Sequence, residues 1–261
     1  MHEFSLKCFG VGDGTASADR NHSSYFYRLR GVSLLIDCGE PVSRSFKASG
    51  LSYDTIDRIF LSHLHSDHVG GFFMLMQSFW LEPRKKELTI HLPKDAIEPL
   101  TRMLHAAYLF PEILPFPLRF EPHVSETPVI CGEAKVTPYR TTHLDTLRKN
   151  FQAKYPGDYN AYCFLIESGK RRIAHSADIG APQDLEPLLQ QPVDLLVCEL
   201  AHFTPEELFT YLREKKIGRI LFTHLSRANW QHLPKVEKLA RQMLPGFDYT
   251  FPHDQDVVEI Q

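Results

Sequence analysis

Apolar and polar residues alternate from Glu3 to Phe9, the period of a half-buried strand, and the Gly10-Val-Gly-Asp-Gly-Thr15 run that follows is turn-forming. Tyr25–Arg30 and Val32–Ile36 read as two further strands, and Pro41–Ala48 as a short helix. Ile59-Phe-Leu61 is the end of a buried strand. The nearly unbroken apolar run Phe72–Leu81 is too long for a typical strand and predicts a buried helix. Leu88–Leu92 predicts a strand, Lys94–Tyr108 has helical spacing, and Pro111, Pro115, Pro117 and Pro122 predict an irregular, extended stretch. The second half repeats the theme. Strands are expected at Ala134–Thr142, Ala161–Ile166, Arg171–His175, Val193–Cys198 and Ile217–Thr223. Helices are expected at Pro182–Gln190, from Pro205 and at Lys235–Met243, with Tyr249–Phe251 and Val257–Ile260 closing the sheet. Strands alternating with helices in two similar halves make the chain α/β.

Length and composition narrow this picture. A chain of 261 residues, 43% hydrophobic, can bury a large core, and no Gly/Ser tract, charge block or repeat divides it. The expectation is a single domain over 1–261. A formal net charge of −3 argues against a broad nucleic-acid-binding face, so an anionic substrate must be attracted by the site itself. The opening Met1-His-Glu-Phe-Ser-Leu-Lys7 has no apolar signal core, and no stretch approaches the roughly 18 apolar residues of a membrane span. A cytoplasmic protein with no membrane partner is expected. Five cysteines without a paired CxxC spacing fit a reducing compartment; Cys8, Cys38, Cys163 and Cys198 fall in or beside apolar runs and read as small buried hydrophobes.

Chemistry concentrates just past Leu61. The next residues include His63, His65, Asp67 and His68 before a Gly70-Gly71 step, four metal-ligand side chains at one strand end. On extended backbone His63 and His65 point the same way and can share one ion, while Asp67 and His68, past the turn, can face a second. Imidazole with carboxylate and no thiolate suits Zn²⁺, with Mn²⁺ or Fe²⁺ as alternatives. His91, His105 and His123 show no partner pattern and read as structural.

His63-Leu-His65-Ser-Asp67-His68 resembles the HxHxDH signature of the metallo-β-lactamase fold hydrolases. The resemblance extends along most of the chain. It implies a four-layer αββα sandwich with two divalent metal ions in the groove between its halves. His143, Asp178 and His224, each just past an expected strand, match the family's remaining ligands in order. By the resemblance His63, His65 and His143 hold one ion, Asp67, His68 and His224 hold the other, and Asp178 bridges them. The Gly10–Gly14 loop, the Arg20-Asn-His-Ser-Ser24 stretch and the strand ending at Asp37 are similar to the opening of the ribonuclease Z branch, where that Asp supports the metal ligands. His202-Phe-Thr204 resembles the branch's His-Ser-Thr element, with Phe203 for Ser; its His assists the leaving group. The competing reading makes His202 part of a helix cap, with Thr204 as N-cap.

The resemblance implies a phosphodiesterase acting on a small nucleotide or a nucleic-acid-derived diester. A metal-bridging hydroxide is its nucleophile, and Asp67 and His202 are its catalytic residues. The alternatives are a lactone, thioester or carboxylic ester hydrolase on the same fold, and a non-enzymatic metal-binding scaffold. An iron-and-flavin redox variant of the fold carries Glu where this chain has His65. tRNA is disfavoured as a partner, because the Leu144–Asn160 loop is too short for the long arm with which tRNA-processing relatives grip their substrate. Arg148, Lys149 and Lys154 in that loop read as solvated surface. Related enzymes suggest a homodimer.

Overall fold

The protein is described here by a computed structural model covering residues 3–82 and 84–260. Six strands build most of a first sheet: β1 (Ser5–Gly10), β2 (Ser24–Leu29), β3 (Val32–Ile36), β4 (Arg58–Phe60), β5 (Leu88–Leu92) and β6 (Leu118–Pro122). A second sheet holds β7 (Val129–Cys131), β8 (Ala134–Thr141), β9 (Ala161–Ser168), β10 (Arg171–His175), β11 (Val193–Leu200), β12 (Ile217–Leu225) and β13 (Asp248–Thr250). The last strand, β14 (Val257–Glu259), crosses back and pairs antiparallel with β1, so each sheet is seven-stranded, in the orders β14-β1-β2-β3-β4-β5-β6 and β13-β12-β11-β10-β9-β8-β7. The two C-terminal strands therefore close different sheets.

The period-two pattern sorts side chains into layers. Tyr25, Tyr27, Leu34, Ile36 and Phe60 point between the sheets and meet Phe164, Ile166, Leu195, Val197 and Leu221 from the other side. Their neighbours Phe26, Leu35 and Ile59 face outward against helices Val42–Ala48, Phe72–Leu81 and Ile97–Ala106. Leu165, Leu196, Ile220 and Phe222 do the same on the second sheet against helices Glu186–Leu189, Pro205–Leu212 and Leu233–Met243. Helices, two sheets and helices make the αββα sandwich expected above.

The β3, β4 and β5 pairings are parallel, as are those of β10, β11 and β12, while β8 regains the direction of β10 through two antiparallel steps. Carboxyl ends consequently collect at one edge of the sandwich. Ligands bind past such ends in open α/β sheets.

Three local expectations are corrected. Leu118–Pro122 is no irregular stretch but an edge strand, in register with Leu88–Leu92; its proline is tolerated because one side of an edge strand carries no ladder. The Leu144–Asn160 loop contains the helix Asp145–Phe151. Pro182–Gln190 forms a 3-10 turn, Pro182–Leu185, followed by a single helical turn. All five cysteines are free and buried. His91 stacks on Phe60 at 4.6 Å between ring centres and His123 Nε2 lies 2.9 Å from the Leu61 carbonyl, both structural positions, while His105 is exposed. No helix among the described residues is long and apolar enough to cross a membrane.

Candidate metal centre

The edge where the strand ends meet brings all seven candidate ligands together. β4 delivers His63 and His65, then turns into the short helix Ser66–Val69, which carries Asp67 and His68; β8 delivers His143, β10 Asp178 and β12 His224. They fall into two groups whose donor atoms lie within 4.8 Å of one another: His63, His65, His143 and Asp178, and Asp67, His68, Asp178 and His224. Asp178 belongs to both. Its Oδ2 lies 3.8 Å from His63 Nε2 and 3.7 Å from His143 Nε2, and its Oδ1 lies 3.2 Å from His68 Nε2 and 3.5 Å from His224 Nε2. Within the first group His65 Nδ1 approaches His143 Nε2 at 3.1 Å, and within the second Asp67 Oδ2 approaches His224 Nε2 at 3.1 Å.

The donors suit divalent ions. His63 Nε2, His68 Nε2 and Asp178 Oδ1 are buried without a hydrogen-bond partner, although the donor atoms of each group lie within 4.8 Å of one another. Buried polar atoms are normally satisfied, and imidazole nitrogens converging on a carboxylate make a coordination set rather than a hydrogen-bond network. Charge follows position. Burial, reinforced by His68, holds the His63 imidazole well below its ordinary range, and burial takes His143 down to about 4 against the pull of Asp178. His224 goes the other way: burial is outweighed by Asp178 and by its hydrogen bond with Asp67, lifting it to about 9. Burial likewise opposes but does not prevent the fall of Asp178 well below the carboxylate range, driven by His224 and His68.

The ligands are held from behind. Asp37, fully buried, accepts from Ser62 N at 2.7 Å and Ser62 Oγ at 2.8 Å, and its Oδ2 lies 2.6 Å from His68 Nδ1. A carboxylate there fixes the ring's tautomer, leaving Nε2 to face the centre. Ser62 Oγ also reaches His63 Nδ1 at 3.0 Å. The Asp184 carboxylate accepts from Thr142 N and Gly180 N at 2.9 and 2.8 Å, tying together the loops that carry His143 and Asp178. Backbone strain gathers here too. Asp37, Ala177 and His224 have φ of 59°, 44° and 49°, the left-handed region that side chains disfavour and that persists only where surrounding structure enforces it. At Gly39 a Cβ would come within 2.2 Å of the Asp67 carbonyl, so only glycine lets the Asp37 loop pack under the ligand turn.

His202 stands at the rim, its Nε2 3.9 Å from Asp178 Oδ2 and its ring 4.5 Å from that of His143. It does not cap the following helix. Thr204 does, in a capping box with Glu207, while His202 Nδ1 lies 2.8 Å from Glu199. The buried Glu199 carboxylate also accepts from Ile179 N, Ala201 N and His202 N at 2.7, 3.0 and 3.2 Å. Partial burial lowers the His202 pKa, but Glu199 more than compensates and holds it above its ordinary value. Glu199 was missed in the sequence, although it ends an apolar strand as Asp37 does. Ser62 gave no signal.

Two cavities flank the centre. One, of 270 Å³, is lined by Arg20, Arg227 and Trp230 near the Gly14 turn, with the Arg20 guanidinium over the Trp230 ring at 4.6 Å; a Cβ on Gly14 would sit 3.4 Å from Asp67 Oδ2. The other, of 230 Å³, lies beside the His63 and His143 loops.

Known proteins agree with this architecture. The chain is 25% identical to a ribonuclease Z of Metallosphaera sedula, over 92% of this chain and 94% of that protein. It is 37% identical to a ribonuclease Z of Bacteroides fragilis over 40% of this chain, a match that spans only about a third (34%) of that relative's length. The metallo-beta-lactamase fold protein YhfI of Bacillus subtilis superposes with a TM-score of 0.78 at 20% identity, covering 98% of each chain. The model of the family described as Anti-Pycsar protein Apyc1 matches residues 4–236, and with that span the chain belongs to the Anti-Pycsar protein Apyc1 family, carried on the metallo-β-lactamase fold.

Proposed function

We propose that this protein is a dinuclear metal-dependent phosphodiesterase acting on a small nucleotide or a nucleic-acid-derived phosphodiester. The observation that carries the reading is Asp178 shared between two ligand groups, with an imidazole backed by Glu199 beside them. In this reading His63, His65 and His143 hold one ion, Asp67, His68 and His224 the other, and Asp178 both. Divalent ions there, Zn²⁺ or alternatively Mn²⁺ or Fe²⁺, would activate water near neutral pH and neutralise charge on the diester.

The chain's own residues have separate tasks. Asp67, bonded to His224 and half-turned toward the Gly14 loop, orients the attacking water by accepting its hydrogen bond. Arg20 and Arg227, which line the cavity beside the Gly14 turn, supply positive charge there. His202, whose protonated form Glu199 favours, donates its Nε2 proton to the departing oxygen as general acid, a role typically worth about 10²–10⁴-fold in rate. The names of the curated relatives point toward phosphodiester chemistry, but Leu144–Asn160 folds as one short helix and a pinned turn rather than an arm, so a small substrate is favoured over tRNA.

The test is hydrolysis of bis-p-nitrophenyl phosphate alongside lactone and thioester panels in Zn²⁺ or Mn²⁺. Diester cleavage is expected to vanish in Asp67→Ala and to fall about 10²-fold or more in His202→Ala. Turnover of carbonyl substrates alone, indifferent to His202, would instead assign an ester hydrolase. Metal uptake without turnover of any of these substrates would instead fit a metal-binding scaffold, and failure to take up any metal would refute the metal-dependent reading.

A further inference from the structure

The turn before β14 is fixed against β1, where Gln255 N donates to Cys8 O at 2.6 Å and Cys8 N to Asp256 O at 3.0 Å. From that turn the Asp254 carboxylate reaches both limbs of the Gly10–Arg20 loop. Its Oδ1 accepts from Val11 N at 3.1 Å and its Oδ2 from Asn21 N at 2.6 Å. Both amides lie outside the strands: β1 ends at Gly10, β2 starts at Ser24, and the register between them is broken at Cys8 and Gly10. Val11 is fully buried, and a buried N–H without an acceptor is destabilising, so the carboxylate is what lets the chain leave the sheet there. The tethered loop then bears on the second ligand group. Val11 O accepts from His224 N at 2.8 Å, holding the ligand whose φ is 49°. Gly14 lies so near Asp67 that a Cβ on it would sit 3.4 Å from Oδ2. Asp13 Oδ2 accepts from Arg227 N at 3.1 Å, just past His224, and at the loop's far end the Arg20 guanidinium lies 4.6 Å from the Trp230 ring centre. His63 and His143 are held from other elements, by Ser62 and by the Thr142 loop that Asp184 ties down.

We infer that Asp254 is a positioning residue for the second ion: by bridging Val11 and Asn21 it clamps the Gly10–Arg20 loop over Asp67 and fixes the backbone against which His224 is presented. A carboxylate suits the task because it offers an acceptor oxygen to each of two converging donors, whereas an amide of the same size turns an NH₂ toward one of them. The limbs are joined directly by the bond from Gly12 N to Asn21 O at 2.8 Å, and Asp254 secures the residue on either side of that bond's donor and acceptor limbs. A left-handed φ at a residue other than glycine persists only where its surroundings enforce it, so releasing Val11 removes one of the contacts that keep His224 in place. Asp254 acts through the loop and not on substrate, and its effect is one-sided, reaching the second ligand group and not the first. The inference rests on the assignment of Asp67, His68, Asp178 and His224 to one ion.

The test compares the unaltered protein with Asp254→Ala, Asp254→Asn and Thr204→Ala, the last destabilised away from the centre, each shown to be folded by circular dichroism. Competition with a chelator gives the Zn²⁺ affinities, and His224→Ala identifies the one that belongs to the second group. Acrylamide quenching of Trp230, in a Trp80→Phe background that leaves it the sole tryptophan, follows the loop without metal because Arg20 covers that ring. Asp254→Ala is expected to weaken the second ion about tenfold, the low end of the loss when a group supporting a ligand is removed. Trp230 should become more quenchable, and the first affinity should stay intact. Asp254→Asn should show the same changes to a smaller degree and carries the comparison if Asp254→Ala does not fold; Thr204→Ala should change neither readout. Native affinities in the Asp254 variants, equal weakening of both ions, unchanged quenching, or a matching loss in Thr204→Ala would each overturn the inference. Uptake of fewer than two ions by the unaltered protein would refute the dinuclear assignment by itself, while quenching still decides whether Asp254 clamps the loop.

Discussion

Asp37 offers the sharpest test of the metal centre, through the substitution Asp37→Asn. The residue sits at φ 59°, where Asn is tolerated far better than Ala, so the backbone is not asked to move. Asn keeps an oxygen for the Ser62 N–H, 2.7 Å from Oδ1. Its NH₂ then takes the place of Oδ2, which in the native protein lies 2.6 Å from His68 Nδ1. An amide donates where the carboxylate accepted, so His68 must accept at Nδ1 and carry its proton on Nε2, the nitrogen 3.2 Å from Asp178 Oδ1. That nitrogen loses its lone pair for a cation. Substituting partners of this kind typically costs 10–100-fold in metal affinity, about 1.4–2.7 kcal/mol. The loss should be selective. The ion held with Asp67 and His224 weakens by that factor, whereas His63, His65 and His143 depend on Asp37 only through Ser62 and should keep theirs. Competition of the protein with a fluorescent chelator for Zn²⁺, read as two affinities, makes the measurement, with thermal melting to establish that the variant folds. Two undiminished affinities in a folded Asp37→Asn protein would refute the argument, and equal weakening of both would refute its assignment of His68 to one group.

Other consequences are simpler to state. Asp184→Ala frees the Thr142 and Gly180 amides that it bridges, so the loops of His143 and Asp178 should loosen; metal-dependent activity should fall about tenfold with little change in the unfolding midpoint. Thr204→Ala removes the capping box and should cost about 1 kcal/mol in denaturant unfolding without altering metal binding. Phe164→Ala empties a fully buried position between the sheets, 5.8 Å from Phe60, and should cost about 3–5 kcal/mol by the same measurement; a loss under 1 kcal/mol would mean that the interior is loosely packed. Stability should fall in acid. Burial lowers His91 from 6.5 to about 4 and His123 to about 3, so between those values and pH 6.5 the unfolded chain binds protons that the folded one refuses. That stability is intact above pH 6.5 and declines as pH drops, by roughly 2 kcal/mol from each group at pH 5; His91→Gln should flatten the slope between pH 7 and 5, and an unchanged slope would contradict its burial as a neutral ring.

The sequence by itself determined what is local or periodic. Alternation over Glu3–Phe9 and helical length over Phe72–Leu81 were legible because a strand shows its two faces every second residue and a ten-residue apolar run outlasts a strand. His63 to His68 were legible as a ligand cluster because they are neighbours in the chain. His143, Asp178 and His224 could be named only by resemblance, since nothing local distinguishes them from other residues just past a strand. The tertiary structure alone decided the rest. Parallel pairing aligned the carboxyl ends of β3 to β6 and of β10 to β13, β14 returned to the first sheet, and Pro122 found an edge where its missing N–H costs nothing. Glu199 lies three residues from His202, yet its role depends on backbone amides from the separate Ile179 loop converging on it. The 230 Å³ cavity has walls from both halves of the chain. Such features rest on contacts between residues far apart in sequence, and no window of sequence holds both partners.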